Sequence, residues 1–426
     1  MSSRGDTSGK AVKYIPNSLR WLIVITGVLI VIGCLNIYSS TYYMNIHSGG
    51  SAYSHISSHL LVLFIGLISS FFVMKIGTDV IRTGTLLWFV ITVFLLLFVM
   101  VAGRTVNGAT RWISIGSFSL QPSEIAKIVG IIWTSSYLSK RIRAKEKITF
   151  FSGIFKRTYK SKEKGSIGLF LYHFMPIIGP AMMALLILKQ PDMGTAGMVL
   201  IFPAVLYILA GMPSIEIVSG IVIAAVGGLI LAVIEPYRFD RLVVLWDPFS
   251  HARDLGYQTV QSLIAVGSGG FFGQGPGEGM AKFLYLPEQY TDFAYAVFSQ
   301  EFGFIGSAIV LFLYVGFLLC GFSCARLLKQ SYESLLVYGL TMLISIQGII
   351  NIAMVIGCFP VTGIPLPFIS YGGTSLLINL IAVGLIWKTV VSGLEKSDMA
   401  ERKRKIAAME GRPVSLGKIS GSIFYR

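Results

Sequence analysis

Three short segments bring ionisable residues to the edges of long apolar runs. They are Gln121-Pro122-Ser123-Glu124-Ile125-Ala126-Lys127, Lys189-Gln190-Pro191-Asp192-Met193-Gly194-Thr195 and Leu286-Pro287-Glu288-Gln289-Tyr290-Thr291-Asp292. Charge at membrane depth is costly, so each such residue needs a partner or a task. A carboxylate at the wet edge, such as Asp292, has the chemistry to take a proton from a hydroxyl. An ammonium aimed into a helix bundle, such as Lys127, has the chemistry to hold a phosphate. Plain structural readings compete with these. Pro122 starts a helix, and Glu124 suits its positive end and pairs with Lys127 at i,i+3. Asp192 and Asp292 each suit an N-cap. Glu301 falls half a turn from Asp292 if one helix carries both, so they are not a glycosidase-style pair on one face. A fourth segment, Pro360 to Gly373, contains Ser370 and Tyr371 and breaks helical order. Non-helical backbone at that depth is tolerated only against protein or a cavity.

The elements that must position these residues are long and apolar. Of 426 residues, 54% are hydrophobic and 13% charged, against about 25% charged in soluble proteins. The chain reads as an all-α integral membrane protein of about ten transmembrane helices, since about 20 helical residues cross the hydrocarbon. Spans are expected near Trp21–Tyr38, Leu60–Met74, Thr85–Ala102, Ile125–Leu138, Leu169–Leu188, Ala196–Met212, Ile215–Ile234, Phe293–Ala325, Leu335–Gly357 and Ser375–Val391. The first is too long for a signal-peptide core and has no cleavage site after it, so it is expected to stay as an anchor. Ten spans put both termini on one side, and that side collects 27 of the 35 Lys and Arg residues. By the positive-inside rule that side is cytoplasmic. The division that follows is a cytoplasmic tail over 1–20, a membrane domain over 21–393 and a basic cytoplasmic tail over 394–426. The formal charge of +15 then reports topology and contact with anionic membrane lipids, not nucleic acid. The tail run Arg402-Lys403-Arg404-Lys405 fits contact with lipid or protein, or plain solvation. Cys34, Cys320, Cys324 and Cys358 lie in or beside apolar runs and read as small hydrophobes, with no disulfide framework.

A large extracytoplasmic loop, 235–291, joins spans 7 and 8, with four basic and six acidic residues and a run of glycines from Gly267 to Gly279. Long loops in compact proteins are usually functional, and these glycines permit tight turns and close backbone approach. Tyr257, Leu263, Phe271, Phe272 and Leu284 give it apolar anchors that a solvated linker would not need.

Taken together, these segments resemble the SEDS family of FtsW, RodA and SpoVE from Trp21 to about Val391. The resemblance is carried by Asn107-Gly108-Ala109-Thr110-Arg111-Trp112, Gln121 to Lys127, Gln190 to Thr195, Gly256-Tyr257-Gln258, Gln261-Ser262, Leu286 to Phe293, Glu301 to Gly306 and Pro365 to Gly373. Tyr237-Arg238 with Arg241, and the Tyr-Leu-Pro-Glu before Asp292, look more like FtsW. Gly363-Ile364-Pro365-Leu366-Pro367 looks equally like RodA. The chain departs from its relatives at Tyr290, where His is usual, and at Gln300-Glu301-Phe302-Gly303, where Glu-Glu-Leu-Gly is common.

The resemblance implies a peptidoglycan glycosyltransferase that polymerises lipid II at the outer face of the bacterial cytoplasmic membrane, during division or elongation and at the septum if FtsW-like. The family's essential aspartate falls on Asp292, with Lys127 and Glu124 as further members of the site. Arg111, Asp192, Lys282, Glu301, Gln121, Ser370 and Tyr371 are candidates for holding substrate. Implied companions are Mg²⁺ or another divalent cation, for which the sequence shows no ligand set, no organic cofactor, a class B penicillin-binding protein and other division or elongation proteins. The chemistry then needs a base for a sugar hydroxyl and positive charge on a departing pyrophosphate. The glycine-rich loop is expected to cover the sugars. A lipid II flippase is the alternative, with Lys127, Glu301 and Asn351 lining a headgroup path. Against it, the charged and glycine-rich features gather on the outer side and not through the midplane. A pure scaffold for the division machinery would leave the outer motifs idle.

Overall fold

The computed structural model describes residues 15–106, 109–116, 118–149, 166–234, 236–283, 285–329 and 331–409. Most of both expected tails, Asn107-Gly108 and part of the basic loop between spans 4 and 5 lie outside them. Helices occupy all ten expected spans: α1 Asn17–His47, α2 Ser54–Lys75, α4 Thr85–Ala102, α5 Pro122–Arg143, α6 Ser166–Leu188, α7 Met193–Leu209, α8 Ser214–Ile234, α11 Ala294–Arg326, α12 Ser331–Val355 and α13 Gly373–Met409. Among the described residues, short helices α3 (Thr78–Thr83), α9 (Pro236–Trp246) and α10 (Tyr257–Ser268) complete the α-helical set. Six of these helices are long and apolar enough to cross a membrane by length and composition. The ends differ from expectation where polar residues extend a helix past the apolar run. Thus α1 continues to His47, and α13 runs through Arg402 into the segment expected as tail.

Strands β1 (Arg104–Val106), β2 (Ala109–Ile115) and β3 (Phe118–Leu120) form a small antiparallel sheet in order between α4 and α5. The apolar runs carried no sign of it. It lies at the loop-rich end of the bundle, opposite the basic end formed by Lys75, Arg82, Lys140 and Arg143.

α5 and α12 are the buried axis, and α4, α6, α7 and α12 all pack on α5. α5 begins as its sequence dictates, with Pro122 in its first turn beside Glu124, and ends on Lys140, Arg141 and Arg143. That arrangement complements the helix dipole at both ends. α6 contains Pro180, which cannot donate to the Pro176 carbonyl one turn back. Thr134 Oγ1 of α5 donates to that carbonyl instead, at 2.8 Å.

The expected outer loop is substantially helical, through α9 and α10, and its glycines meet a break in α11. Gly303 is non-helical there, with φ 66° and ψ −164°. The backbone groups freed by the break pair with the glycine loop: Gln274 and Gly275 N–H donate to the Gln300 and Glu301 carbonyls at 3.0 and 3.1 Å, and Phe304 N–H donates to Gly270 at 2.9 Å. A Cβ on Gly273 would lie 2.1 Å from the Glu301 oxygen, so only glycine allows this contact.

Candidate functional site

Asp292 closes the turn before α11. In that turn Thr291 and Phe293 N–H both donate to the Glu288 carbonyl at 3.2 Å. Asn351 Nδ2 of α12 donates to the Asp292 carbonyl at 2.8 Å. The carboxylate stands over Gly363, whose φ is +70° and where a Cβ would sit 3.5 Å from Oδ2. It opens into a cavity of about 1890 Å³.

One end of that cavity is polar, lined by Arg111, Gln121, Asp192, Arg241, Glu288 and Asp292. Each has an identifiable mount. Asp192 caps α7, its Oδ1 accepting from Thr195 N–H at 3.1 Å, while Gln121 Nε2 donates to its Oδ2 at 3.3 Å. Asp192 therefore does the capping work read from sequence and also faces the cavity. Arg111, on β2, donates through Nε to the Gln190 carbonyl at 3.1 Å and through Nη2 to the Pro191 carbonyl. Arg241, on α9, donates to the Val361 carbonyl. Tyr371 also lines the cavity; its N–H donates to the Tyr290 carbonyl at 2.8 Å, and the two rings lie 5.8 Å apart.

The other end of the cavity is apolar, with Leu97 on α4, Met182 and Leu185 on α6, and Ile201 on α7. Leu97, Met182, Leu185 and Ile201 are all exposed, so this end reaches the apolar side of the bundle.

Burial pushes the Asp292 carboxyl up to about 7, and the nearby Glu288 and Asp192 carboxylates push the same way, while Arg241 and Arg111 oppose them. The side chain keeps a partial opening to the cavity, but protein closes round it on the other sides, and that enclosure dominates. A carboxylate poised near neutrality is matched to proton transfer.

The remaining expected site residues lie elsewhere. Lys127 and Glu124 stand behind the cavity wall in a buried pair, with Lys127 Nζ 2.7 Å from Glu124 Oε1 and 2.7 Å from Gln347 Oε1. Lys282 and Glu301 form a second buried pair at 3.0 Å, joined by Ser39 of α1. Neither pair lines the cavity. Ser370 is buried and accepts from Leu366 N–H at 2.9 Å, holding the turn beside Tyr371. Asp292 lies in the turn before α11 and Glu301 inside it, held by Lys282 and outside the cavity lining, so the two carboxylates do not form a pair, as expected. The glycine loop lies against α11, its backbone engaged by the broken helix, and contributes no residue to the cavity lining. Glu288 and Gln347 were missed as site residues and Arg241 was noted only as a family marker. Gln347 carried one available signal, a second polar residue one turn before Asn351 in an apolar span.

A bundle of ten long helices, with a side-opening cavity whose polar end is built from non-helical turns, defines a multi-pass membrane protein of the kind the sequence suggested. The profile of the family described as "Cell cycle protein" (FtsW/RodA/SpoVE) matches residues 20–392, and the chain belongs to this family. It is 36% identical over 368 residues to "Stage V sporulation protein E" of Bacillus subtilis, covering 86% of this chain and 94% of that one. It is 34% identical over 371 residues to "Probable peptidoglycan glycosyltransferase FtsW" of Coxiella burnetii, with the same two coverages. Among solved structures, it resembles a chain from work on polymerization and crosslinking by a peptidoglycan synthase complex, with TM-score 0.66, 23% identity, and 87% of this chain and 97% of that one covered. Thermus thermophilus RodA, a rod shape determining protein, matches with TM-score 0.58 and 23% identity over 87% of this chain and 96% of that one.

Proposed function

We propose that the chain is a peptidoglycan glycosyltransferase that polymerises lipid II into glycan strands at the outer face of the bacterial cytoplasmic membrane. The observation that carries this reading is one cavity with two characters: Asp292 among charged groups at one end, and a lipid-open apolar flank at the other. That pairing suits a substrate with a polar, charged head and a hydrocarbon tail. The names of the sequence relatives support the same reading.

In the proposed step, Asp292 takes the proton of an acceptor sugar hydroxyl as its oxygen bonds to the anomeric carbon of the donor. The bond from that carbon to the lipid pyrophosphate breaks, and the pyrophosphate leaves with the electron pair. Arg111 and Arg241 stand at the same end of the cavity, and their fixed charge favours the departing anion. For the divalent cation implied by the family resemblance, the donor set does not fit a protein-held ion. Among the described residues no group of three His, Cys, Asp or Glu side chains comes together, and Asp192 already accepts from Thr195 and Gln121. No step is therefore routed through a metal.

The cationic end of the bundle is assigned to the cytoplasm, with both termini there, and a class B penicillin-binding protein is the proposed crosslinking partner, at the septum if the chain serves division. The flippase alternative draws no support from Lys127, Glu301 and Asn351, which are each engaged in buried contacts outside the cavity.

The test is strand formation from labelled lipid II by purified protein with its cognate transpeptidase, comparing native chain with Asp292→Ala. Loss of general base catalysis is expected to lower the rate by about 10²- to 10⁴-fold with folding and partner binding retained. Strands made equally by both proteins would sink Asp292 as the base. No strands from native protein, together with lipid II movement across proteoliposomes, would overturn the enzyme reading in favour of transport.

A further inference from the structure

The segment Pro360–Pro365 is non-helical at the end of the bundle, and its main-chain groups need partners. Three of them find partners on one stripe of α12, while Arg241 of α9 serves the Val361 carbonyl. Gln347 Nε2 donates to the Pro365 carbonyl at 3.0 Å, Asn351 Nδ2 donates to the Ile364 carbonyl at 2.8 Å, and Thr362 N–H points at Met354 Sδ, 3.4 Å away. Positions 347, 351 and 354 follow the i, i+4, i+7 spacing of one helix face. Two of these side chains reach further. Asn351 spends its second N–H on the Asp292 carbonyl, and Gln347 accepts from Lys127. Both are fully buried.

We propose that Asn351 and Gln347 are positioning residues that set the place of the Asp292 carboxylate against the Gly363 wall, an assignment that rests on Asp292 being the base. Asn351 holds both sides of that contact with a single amide: its two protons fix the backbone of Asp292 and the backbone next to Gly363. Gln347 sits one turn away and ties the same wall to Lys127, itself paired with Glu124. Lys127 and Glu124 then influence the reaction from behind the wall, through Gln347 and the Pro365 carbonyl, without touching substrate.

The experiment compares Asn351→Leu, Gln347→Glu and Met354→Leu in the full chain with its transpeptidase. Two readouts are taken. One is steady-state polymerisation. The other, independent of activity, is labelling of Asp292 by a hydrophobic carbodiimide, which reacts with the protonated carboxyl, followed against pH by peptide mass spectrometry. Glu288, Asp192, Arg241 and Arg111 face Asp292 and stay unchanged in all three variants.

A misplaced base is expected to cost Asn351→Leu about 100-fold in kcat with KM changed less than about threefold. Its labelling midpoint falls from about 7 toward the ordinary carboxyl range, because a loosened turn admits water. Gln347→Glu keeps an acceptor for Lys127 but loses the donor to Pro365, and is expected to lose about tenfold in kcat. Met354→Leu touches the same segment but not Asp292, and is expected to keep native rate and midpoint. Native rate and midpoint in Asn351→Leu would overturn the proposal. So would equal losses in Met354→Leu, which would make the stripe general scaffolding. If Asn351→Leu does not fold, Gln347→Glu and Asn351→Ser, which retains one donor, decide the matter by the same two readouts. If native protein forms no strands, the polymerase reading fails by itself, while the labelling midpoints still report whether these amides place Asp292.

Discussion

Two sets of ionisable residues at the same end of the bundle look alike in sequence and differ in the structure. Asp292, Asp192, Arg111 and Arg241 hold their places through turns and caps and still face a cavity. Glu124 with Lys127, and Lys282 with Glu301, are shut in against each other and do not line that cavity. What separates them is where their partners lie. Lys127 bonds to two side-chain oxygens and Lys282 to Glu301, Ser39 and the Gly277 carbonyl, so both ammonium groups are turned into the fold and away from the cavity. Residue type names the chemistry a group can do, whereas the partners it already has decide whether that chemistry reaches a substrate.

The largest effect that sharpens this contrast is on folding. Lys127→Met leaves Glu124 buried without its cation, which is expected to cost about 3–5 kcal/mol and to lower the thermal transition in detergent clearly. Adding Glu124→Gln removes the orphaned charge, so the double variant is expected to regain most of the lost stability. A double variant as unstable as the single one would show that the pair is not the unit described here. If the single variant were fully stable but unable to bind donor, Lys127 would belong with the cavity set after all.

The cavity set is expected to respond to pH instead. With its carboxyl held at about 7, Asp292 ionises late, so strand formation should rise about tenfold per unit up to that point and then level off. The sign for stability is opposite. The native state binds the Asp292 proton more tightly than the unfolded chain, whose carboxyl ionises near its ordinary 3.8. Its contribution is thus neutral below that ordinary value, becomes unfavourable as pH rises toward about 7, and is constant above. An acid limb centred near 4 would mean that the cavity is wetter than its walls suggest.

Much of this was legible in the sequence because membrane helices announce themselves by apolar length. The ten spans and the polar turns at Gln121–Lys127, Lys189–Thr195 and Leu286–Asp292 all sit where the runs end. Asp192 as a cap was readable, since Asp before a helix bonds the N–H three residues on. The three-stranded sheet was not, because strands of three to seven residues leave no periodicity beside spans of twenty. The pairing of Lys282 with Glu301 was hidden for another reason: it depends on the break at Gly303 and on a glycine loop folding back onto it, two remote segments meeting through backbone. The division of labour between Lys127 and Asp292 was likewise invisible, because Gln347 and Pro365 stand between Lys127 and the cavity in space only.

Arg241 offers the smallest and most discriminating effect. It lines the cavity from α9, and its guanidinium also donates to the Val361 carbonyl, so one side chain serves both a wall and a field. Arg241→Lys keeps the charge but loses the planar fork, and a point charge on a flexible stem replaces oriented donors. If Arg241 steadies a departing pyrophosphate, the loss should appear in kcat and be modest, about five- to tenfold, with KM for lipid II little changed. Arg241→Gln keeps a donor for Val361 without the charge and should be the slower of the two. The reverse order, with Gln better tolerated than Lys, would make Arg241 a fastener of the Val361 wall. It would then move from the cavity set to the company of Lys127 and Lys282, leaving Arg111 as the cation that meets the leaving group.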